Sequence, residues 1–386
     1  MAPEPFTIDV PDEVIADLHR RLDAVRWPDQ APGEPWSLGI PVSEVRAAVD
    51  HWRNRYDWRA REARMNAWPN FVTTAAGERV HFIHARSKHA DATPLVLTHG
   101  WPGSFVEFLD VIGPLTDPEA HGGQASDAFH VVVPSMPGYG FSGPTTQPQF
   151  HVNRVADAIA ELMEQLDYDR YIAQGGDWGA IVTRRLGEAY PERLLGIHLN
   201  MIFAFPASDD PDPMAGVTDA DNARFADAGA RIADGTGYMA IQSTKPQTLA
   251  YGLTDSPTGL AAWILEKFHA WSDLDDDSVE ATYTWDRVLD NVMVYWVTNT
   301  AGSAARLYAE SQRADNGAAQ GWSGRVEVPT GHAQYPYELL QTPRAWAEKR
   351  YNIVHWAEKD RGGHFAAFER PEIFVADLRD YLHTIT

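Results

Sequence analysis

The sequence predicts an α/β fold: a mostly parallel central sheet flanked by helices, with a helical cap insertion and an N-terminal arm. Three observations predict it. Short apolar runs alternate with helix-like stretches, the pattern of a sheet covered on both faces. Glycine-rich turns follow those runs. After Pro206 the alternation stops, and helix-like segments and acidic loops take its place until about residue 322.

Residues 1–78 read as the arm. From Pro11 to Val25, the apolar positions Val14, Leu18, Leu22 and Val25 share one helical face. Pro28, Pro32, Gly33 and Pro35 then break the pattern. Val42 to Arg55 is a second helix, carrying Val45, Val49 and Trp52. Trp27, Trp36, Trp52, Trp58 and Trp68 crowd this short segment, and large aromatics there imply packing on a larger body.

The core begins at residue 79, and its first part runs to 204. Val80, Phe82 and Ile83 open a strand pattern. Pro94 to Thr98 is a strand ending in His99-Gly-Trp-Pro-Gly103. Phe129 to Val133 ends in Pro134-Ser-Met-Pro-Gly-Tyr-Gly140, and Tyr171 to Ala173 ends in Gln174-Gly-Gly-Asp177. Helices are expected at Phe105 to Ile112, Val155 to Leu166 and Ala180 to Ala189, with a further strand at Leu195 to Asn200. Residues 205–321 form the cap, with helices at Gly259 to Phe268 and Val292 to Tyr308. Strands resume at Arg325 to Val328 and Ile353 to Trp356, and Pro371 to His383 is a closing helix, so 322–386 is the second part of the core. In such sheets ligands bind outside the carboxyl ends of the strands, where these turns lie.

Composition narrows the function. The 386 residues are 44% hydrophobic and 22% charged, the balance of a chain that buries a core. Lys and Arg number 32 against 54 Asp and Glu, a net charge of -22. A field of that sign disfavours nucleic acid and anionic membrane surfaces as partners. The absence of cysteine excludes disulfides, thiolate catalysis and iron–sulfur clusters. The N-terminus reads as no signal peptide, and no stretch approaches the ~20 apolar residues of a membrane span. A cytoplasmic protein is the expectation. Scarce lysine beside abundant Ala, Arg, Asp and Gly points to a bacterial source.

The sharpest chemical feature is Gly175-Gly-Asp177-Trp-Gly179, between a strand and a helix. A strand, a sharp glycine-flanked turn and a helix make the nucleophile elbow of α/β-hydrolases, where the turn residue sits in strained backbone. Here the elbow carries Asp instead of Ser. An exposed carboxylate titrates near ~3.9, so it needs no base to attack, and it forms an ester with an alkylating substrate. A helix N-cap is the plainer reading of the same Asp. His364, in Arg361-Gly-Gly-His-Phe-Ala-Ala-Phe-Glu-Arg-Pro371, follows a strand and precedes the last helix, the place of a general base in this chain order. In His99-Gly-Trp-Pro-Gly103, the backbone N–H of Trp101 pairs with that of Trp178 as an oxyanion hole, while His99 is structural. The acid that orients His364 is Glu338 or Asp360.

Taken together these motifs resemble the microsomal-type epoxide hydrolases of the α/β-hydrolase superfamily, including soluble bacterial members. The resemblance covers nearly the whole chain. It includes Arg26-Trp-Pro28 and Tyr56-Asp-Trp-Arg59 in the arm, and Gln242-Ser-Thr-Lys-Pro-Gln-Thr248 and Asp255-Ser-Pro-Thr-Gly259 in the cap. It ends with Val328-Pro-Thr-Gly331, Tyr335-Pro-Tyr-Glu338 and the His364 loop. The resemblance implies Asp177 as nucleophile, His364 as base and Glu338 as its acid. It also implies that Tyr238 and Tyr308 hold the epoxide oxygen, donating hydrogen bonds in place of an acid. The membrane-bound relatives carry an N-terminal anchor that this sequence does not show.

The implied reaction opens a small-molecule epoxide to a vicinal diol through an Asp ester, which His-activated water hydrolyses. Epoxide and water are the partners. No organic cofactor and no metal are expected, and a homo-oligomer is compatible with the sequence. Two rival readings use the same residues: a haloalkane dehalogenase, with the Trp178 indole binding halide, and a non-catalytic ligand-binding homologue. Detoxification and natural-product biosynthesis both fit a bacterial setting.

Overall fold

The computed structural model describes residues 2–314 and 324–386. Among them, nine strands form one sheet. They are β1 (Glu4–Phe6), β2 (Asn70–Ala75), β3 (Glu78–Ala85), β4 (Thr93–Thr98), β5 (Phe129–Pro134), β6 (Tyr171–Gly175), β7 (Leu194–Leu199), β8 (Val326–Gln334) and β9 (Tyr351–Glu358). Their spatial order is β1-β2-β3-β5-β4-β6-β7-β8-β9. The β1, β2, β3 and β5 pairings are antiparallel, and every pairing from β5 to β9 is parallel. This is the mostly parallel sheet expected from the alternating runs, in the α/β-hydrolase arrangement that the family resemblance implied. Central parallel strands are covered on both faces, so they read as unbroken apolar runs; every residue of β5 is buried.

The order places the site. From β4 the chain steps to β5 on one side, then returns to β6 on the other. The crevice at the carboxyl ends of β4 and β6 is therefore a topological switch point. Thr98 pairs with Gly175 at the ends of those strands. The His99–Gly103 turn and the elbow thus leave the sheet side by side.

The arm contributes more regular structure than its sequence suggested. Besides helices Asp12–Asp23 and Val42–Asn54, it forms a third, Trp58–Asn66, capped by the Asp57 carboxylate on the N–H of Ala60. Its β1 joins the sheet through β2. Asp290, fully buried on helix Trp285–Thr298, binds Arg61 at 2.8 Å and accepts from the Tyr56 hydroxyl at 2.9 Å. A buried carboxylate needs such partners, and here they fasten the arm to the body.

Between residues 205 and 314 the chain is helical: Asp219–Ile232, Gly237–Thr244, Pro246–Asp255, Pro257–Trp271, Val279–Tyr283, Trp285–Thr298 and Ala301–Arg313. The boundary drawn at 321/322 lies outside the described residues. The helix expected from Val292 to Tyr308 is two helices. Asn299 takes the left-handed conformation (φ 53), and the Thr300 N–H bonds back to Tyr295, which ends the first helix. The helix expected at Phe105 to Ile112 opens as a 3-10 turn, Phe105–Phe108, and continues to Thr116. No helix among the described residues is long and apolar enough to cross a membrane.

Candidate active site

Asp177 tops the turn between β6 and helix Trp178–Ala189, with φ 50 and ψ -127. Only glycine visits that region without strain, so the surroundings must hold the aspartate there. Three glycines make the room. A Cβ on Gly179 would lie 2.0 Å from the carbonyl oxygen of Thr98, and one on Gly175 would lie 2.2 Å from that of Gly179. A Cβ on Gly100 would lie 2.3 Å from Asp177 itself. The turn therefore seats its helix directly against the end of β4.

The Trp101 N–H donates to Oδ1 of Asp177 at 2.7 Å. Its loop is held from the helix Trp285–Thr298. Asn291 donates to the Pro102 carbonyl at 2.8 Å, and the Tyr295 hydroxyl donates to that of Gly103 at 2.7 Å. The Trp178 N–H is among the first amides of its helix, which no turn of that helix can satisfy. His99 is buried, accepts from the Met136 N–H at 3.1 Å through Nε2, and has its pKa lowered to about 4 by burial. It is a neutral brace.

His364 arrives from the loop after β9. Its Nε2 lies 3.6 Å from Oδ2 of Asp177, and its Nδ1 lies 2.7 Å from Oε1 of Glu338. Glu338 is itself buried and also accepts from the Leu339 N–H at 2.6 Å. Asp360, the other candidate acid, is exposed. Burial alone would lower the His364 pKa. The charges of Glu338 and Asp177, with the hydrogen bond to Glu338, outweigh it and raise that pKa well above 6.5. The ring favours the imidazolium while both carboxylates are charged.

Asp177 stands between two cavities of opposite character. On one side lies a cavity of ≈ 330 Å³, lined largely by apolar groups such as Ile181, Met201, Phe203 and Leu340. Tyr238, Tyr308 and Trp178 also line it. The two phenol rings are 6.0 Å apart at 83°. Tyr238 stacks on Trp101 at 4.8 Å, and Tyr308 meets the edge of Trp178 at 4.8 Å. The buried Tyr308 hydroxyl lies within reach of the Tyr238 hydroxyl and of the Trp178 side chain. Burial, reinforced by the charge of Asp177, raises the Tyr238 pKa, so that phenol keeps its proton. Burial likewise raises that of Tyr308 well above 10.0.

On the other side lies a cavity of ≈ 20 Å³, lined by Asp177, His364, Thr98, Gln174, Asn200 and Glu107, among others. One water needs about 10–15 Å³ and a few polar partners. Oγ1 of Thr98 and Oε1 of Gln174 are buried there without a partner among the described residues. Glu107 is a site residue that the sequence reading missed. Burial pushes its pKa up to about 8, with the nearby His364 acting in the opposite direction. Its carboxylate fills the space beside Gly103, where a Cβ would lie 1.5 Å from Oε1. The signal in the sequence was a carboxylate inside the otherwise apolar run Phe105-Val-Glu-Phe108.

Comparison with known proteins agrees with this architecture. Residues 3–108 match the family described as epoxide hydrolase N terminus, and residues 93–371 match the alpha/beta hydrolase fold. The chain is 48% identical, over 377 residues, to a protein of Stigmatella aurantiaca provisionally named an epoxide hydrolase, covering 97% of this chain and 84% of that one. It is 35% identical over 399 residues to epoxide hydrolase 1 of Sus scrofa, covering 98% of this chain and 88% of the other. The crystal structure of juvenile hormone epoxide hydrolase from the silkworm Bombyx mori superposes with a TM-score of 0.91 at 31% identity, covering 100% of this chain and 95% of that one. With its characteristic N-terminal arm and its hydrolase core both matched, the chain belongs to the epoxide hydrolase family of the α/β-hydrolase fold.

Proposed function

We propose that this epoxide hydrolase opens an apolar epoxide in two chemical steps at Asp177, with the residues expected from the sequence in the roles assigned there. The observation that carries the reading is the position of Asp177 between the ≈ 330 Å³ cavity and the ≈ 20 Å³ cavity. The first suits a lipophilic substrate; the second suits one water.

In the first step a carboxylate oxygen of Asp177 attacks a ring carbon, and the carbon–oxygen bond breaks. An alkoxide is a poor leaving group, so the departing oxygen needs a proton. Tyr238 supplies it and Tyr308 donates a second hydrogen bond; general acids of this kind contribute ~10²–10⁴-fold. Asp177 is then a neutral ester and Tyr238 a phenolate. Loss of the Asp177 charge removes one of the influences that raise the His364 pKa. The imidazolium then gives up its proton and the Tyr238 phenolate takes one up, which restores the phenol and leaves a neutral imidazole.

In the second step that imidazole takes a proton from water in the small cavity, and the hydroxide attacks the carboxyl carbon of the Asp177 ester. Charge develops on the carboxyl oxygen that faces the N–H groups of Trp101 and Trp178. Collapse releases the diol, the Asp177 carboxylate and an imidazolium, which is the starting state. Glu338 orients the imidazole, and Glu107 orients the water. In this reading the cap (205–321) supplies the phenols, and the core parts (79–204 and 322–386) supply the triad. A net charge of -22 favours a neutral small molecule over nucleic acid. A bacterial cytoplasm, with detoxification or natural-product biosynthesis as the use, accords with the composition.

A single turnover in ¹⁸O-water tests the reading. Label should enter the Asp177 carboxylate, with the first diol unlabelled. Label in the first diol would mean direct attack by water and no ester.

A further inference from the structure

Lys267 lies on helix Pro257–Trp271 and is 5% exposed. A buried ammonium is costly unless it is paired. Its Nζ is 2.6 Å from Oε2 of Glu266 and donates to the Gly235 carbonyl at 3.3 Å. It also lies 4.7 Å from the centroid of the Tyr238 ring and 5.5 Å from that of Trp271. Gly235 opens the turn into helix Gly237–Thr244, which carries Tyr238. One cation therefore touches both the turn that presents this phenol and the ring itself.

Packing alone does not account for a charge here, since an unbranched thioether would fill the same space. The charged groups around Tyr238 are Asp177 and Glu266, both of which oppose its ionisation, and Lys267, which has the opposite sign. A cation on an aromatic face is attracted to the neutral ring and more strongly to the anion that forms when the ring loses its proton.

We propose that Lys267 is a positioning residue for ring opening: its ammonium, packed on Tyr238, offsets the negative charge that the phenol acquires as the epoxide oxygen takes its proton. The proposal rests on the reading of Tyr238 as the acid. The bonds are those already given: Asp177–carbon forms, carbon–oxygen breaks, and one proton passes from Tyr238 to the leaving oxygen. The contribution belongs to ring opening alone, because ester hydrolysis begins after Tyr238 has been reprotonated.

Stopped-flow tryptophan fluorescence, with styrene oxide as probe, measures the alkylation and hydrolysis rates separately. In Lys267→Met, alkylation should slow about tenfold while hydrolysis stays within about twofold, and Lys267→Arg should recover most of the loss. Normal alkylation in Lys267→Met, or an equal fall in both steps that Arg does not restore, would overturn the proposal. Should Lys267→Met fail to fold, Lys267→Gln takes its place, and normal alkylation in that variant would overturn the proposal. Normal alkylation in Tyr238→Phe would instead remove the reading on which it rests.

Discussion

Nε2 of His364 faces Oδ2 of Asp177 across 3.6 Å, while its Nδ1 is bonded to Glu338 at 2.7 Å. The longer separation exceeds a good hydrogen bond. The carboxylate is thus paired with the imidazole by charge and is still free to attack. A serine at the same elbow would need that imidazole as a base before it could react. In the proposed mechanism the base is held in reserve for the second step.

The charge coupling between these two residues can be measured. Asp177→Asn removes one carboxylate and keeps the shape. Because the Asp177 charge helps to raise the His364 pKa, that pKa should fall in the variant. NMR titration of the His364 ring gives the value directly. An unchanged pKa would mean that Glu338 alone sets it.

Backbone strain at the elbow has its own signature. Asp177→Gly and Asp177→Ala both lose the proposed nucleophile and should be inactive. Only Gly relaxes at φ 50, ψ -127, so it should be more stable than Ala by about 1–2 kcal/mol. Urea denaturation of the two variants checks this. Equal stability would mean that the conformation carries no strain.

The two phenols should act on ring opening. Tyr238→Phe is expected to slow alkylation by about 10²-fold and to leave ester hydrolysis nearly unchanged. Tyr308→Phe should slow the same step, and the double variant should slow it more than either alone. Single-turnover kinetics distinguish the steps, and slower hydrolysis with normal alkylation would contradict the assignment.

Glu107 should link stability and turnover. Its pKa of about 8 lies above the ordinary 4.5, so the fold binds this proton more tightly than the unfolded chain does. That stability is fully present below pH 4.5 and is lost as pH rises through about 8. Glu107→Gln should therefore raise the Tm near pH 8 and leave it unchanged near pH 4. The same variant should slow ester hydrolysis more than alkylation. A pH-independent change in Tm would contradict the buried titration.

Much of this was legible in the sequence, for physical reasons. Parallel strands buried on both faces read as continuous apolar runs, so β4, β5 and β6 stood out, and so did the turns that follow them. The Asp177 and His364 positions followed from turn glycines and chain order, whereas the residues alone left Glu338 and Asp360 open and the family resemblance pointed to Glu338. Other features carried no comparable signal. The three residues of β1 are too few for a period, and the threonines of β2 hide its alternation. The break at Asn299 depends on one left-handed residue within an apolar stretch. Glu107 and Lys267 are charges inside apolar helical turns. Alone, such a residue reads as a solvated face, and only the packing around it reveals that it is buried.

The account rests on a covalent ester at Asp177, and intact-protein mass spectrometry of His364→Gln tests it most directly. Mixed with styrene oxide, this variant should gain the mass of one substrate molecule, which peptide mapping should place on Asp177. It should release little diol. A variant that stays unmodified while the wild type turns over, or one whose adduct maps elsewhere, would contradict the mechanism.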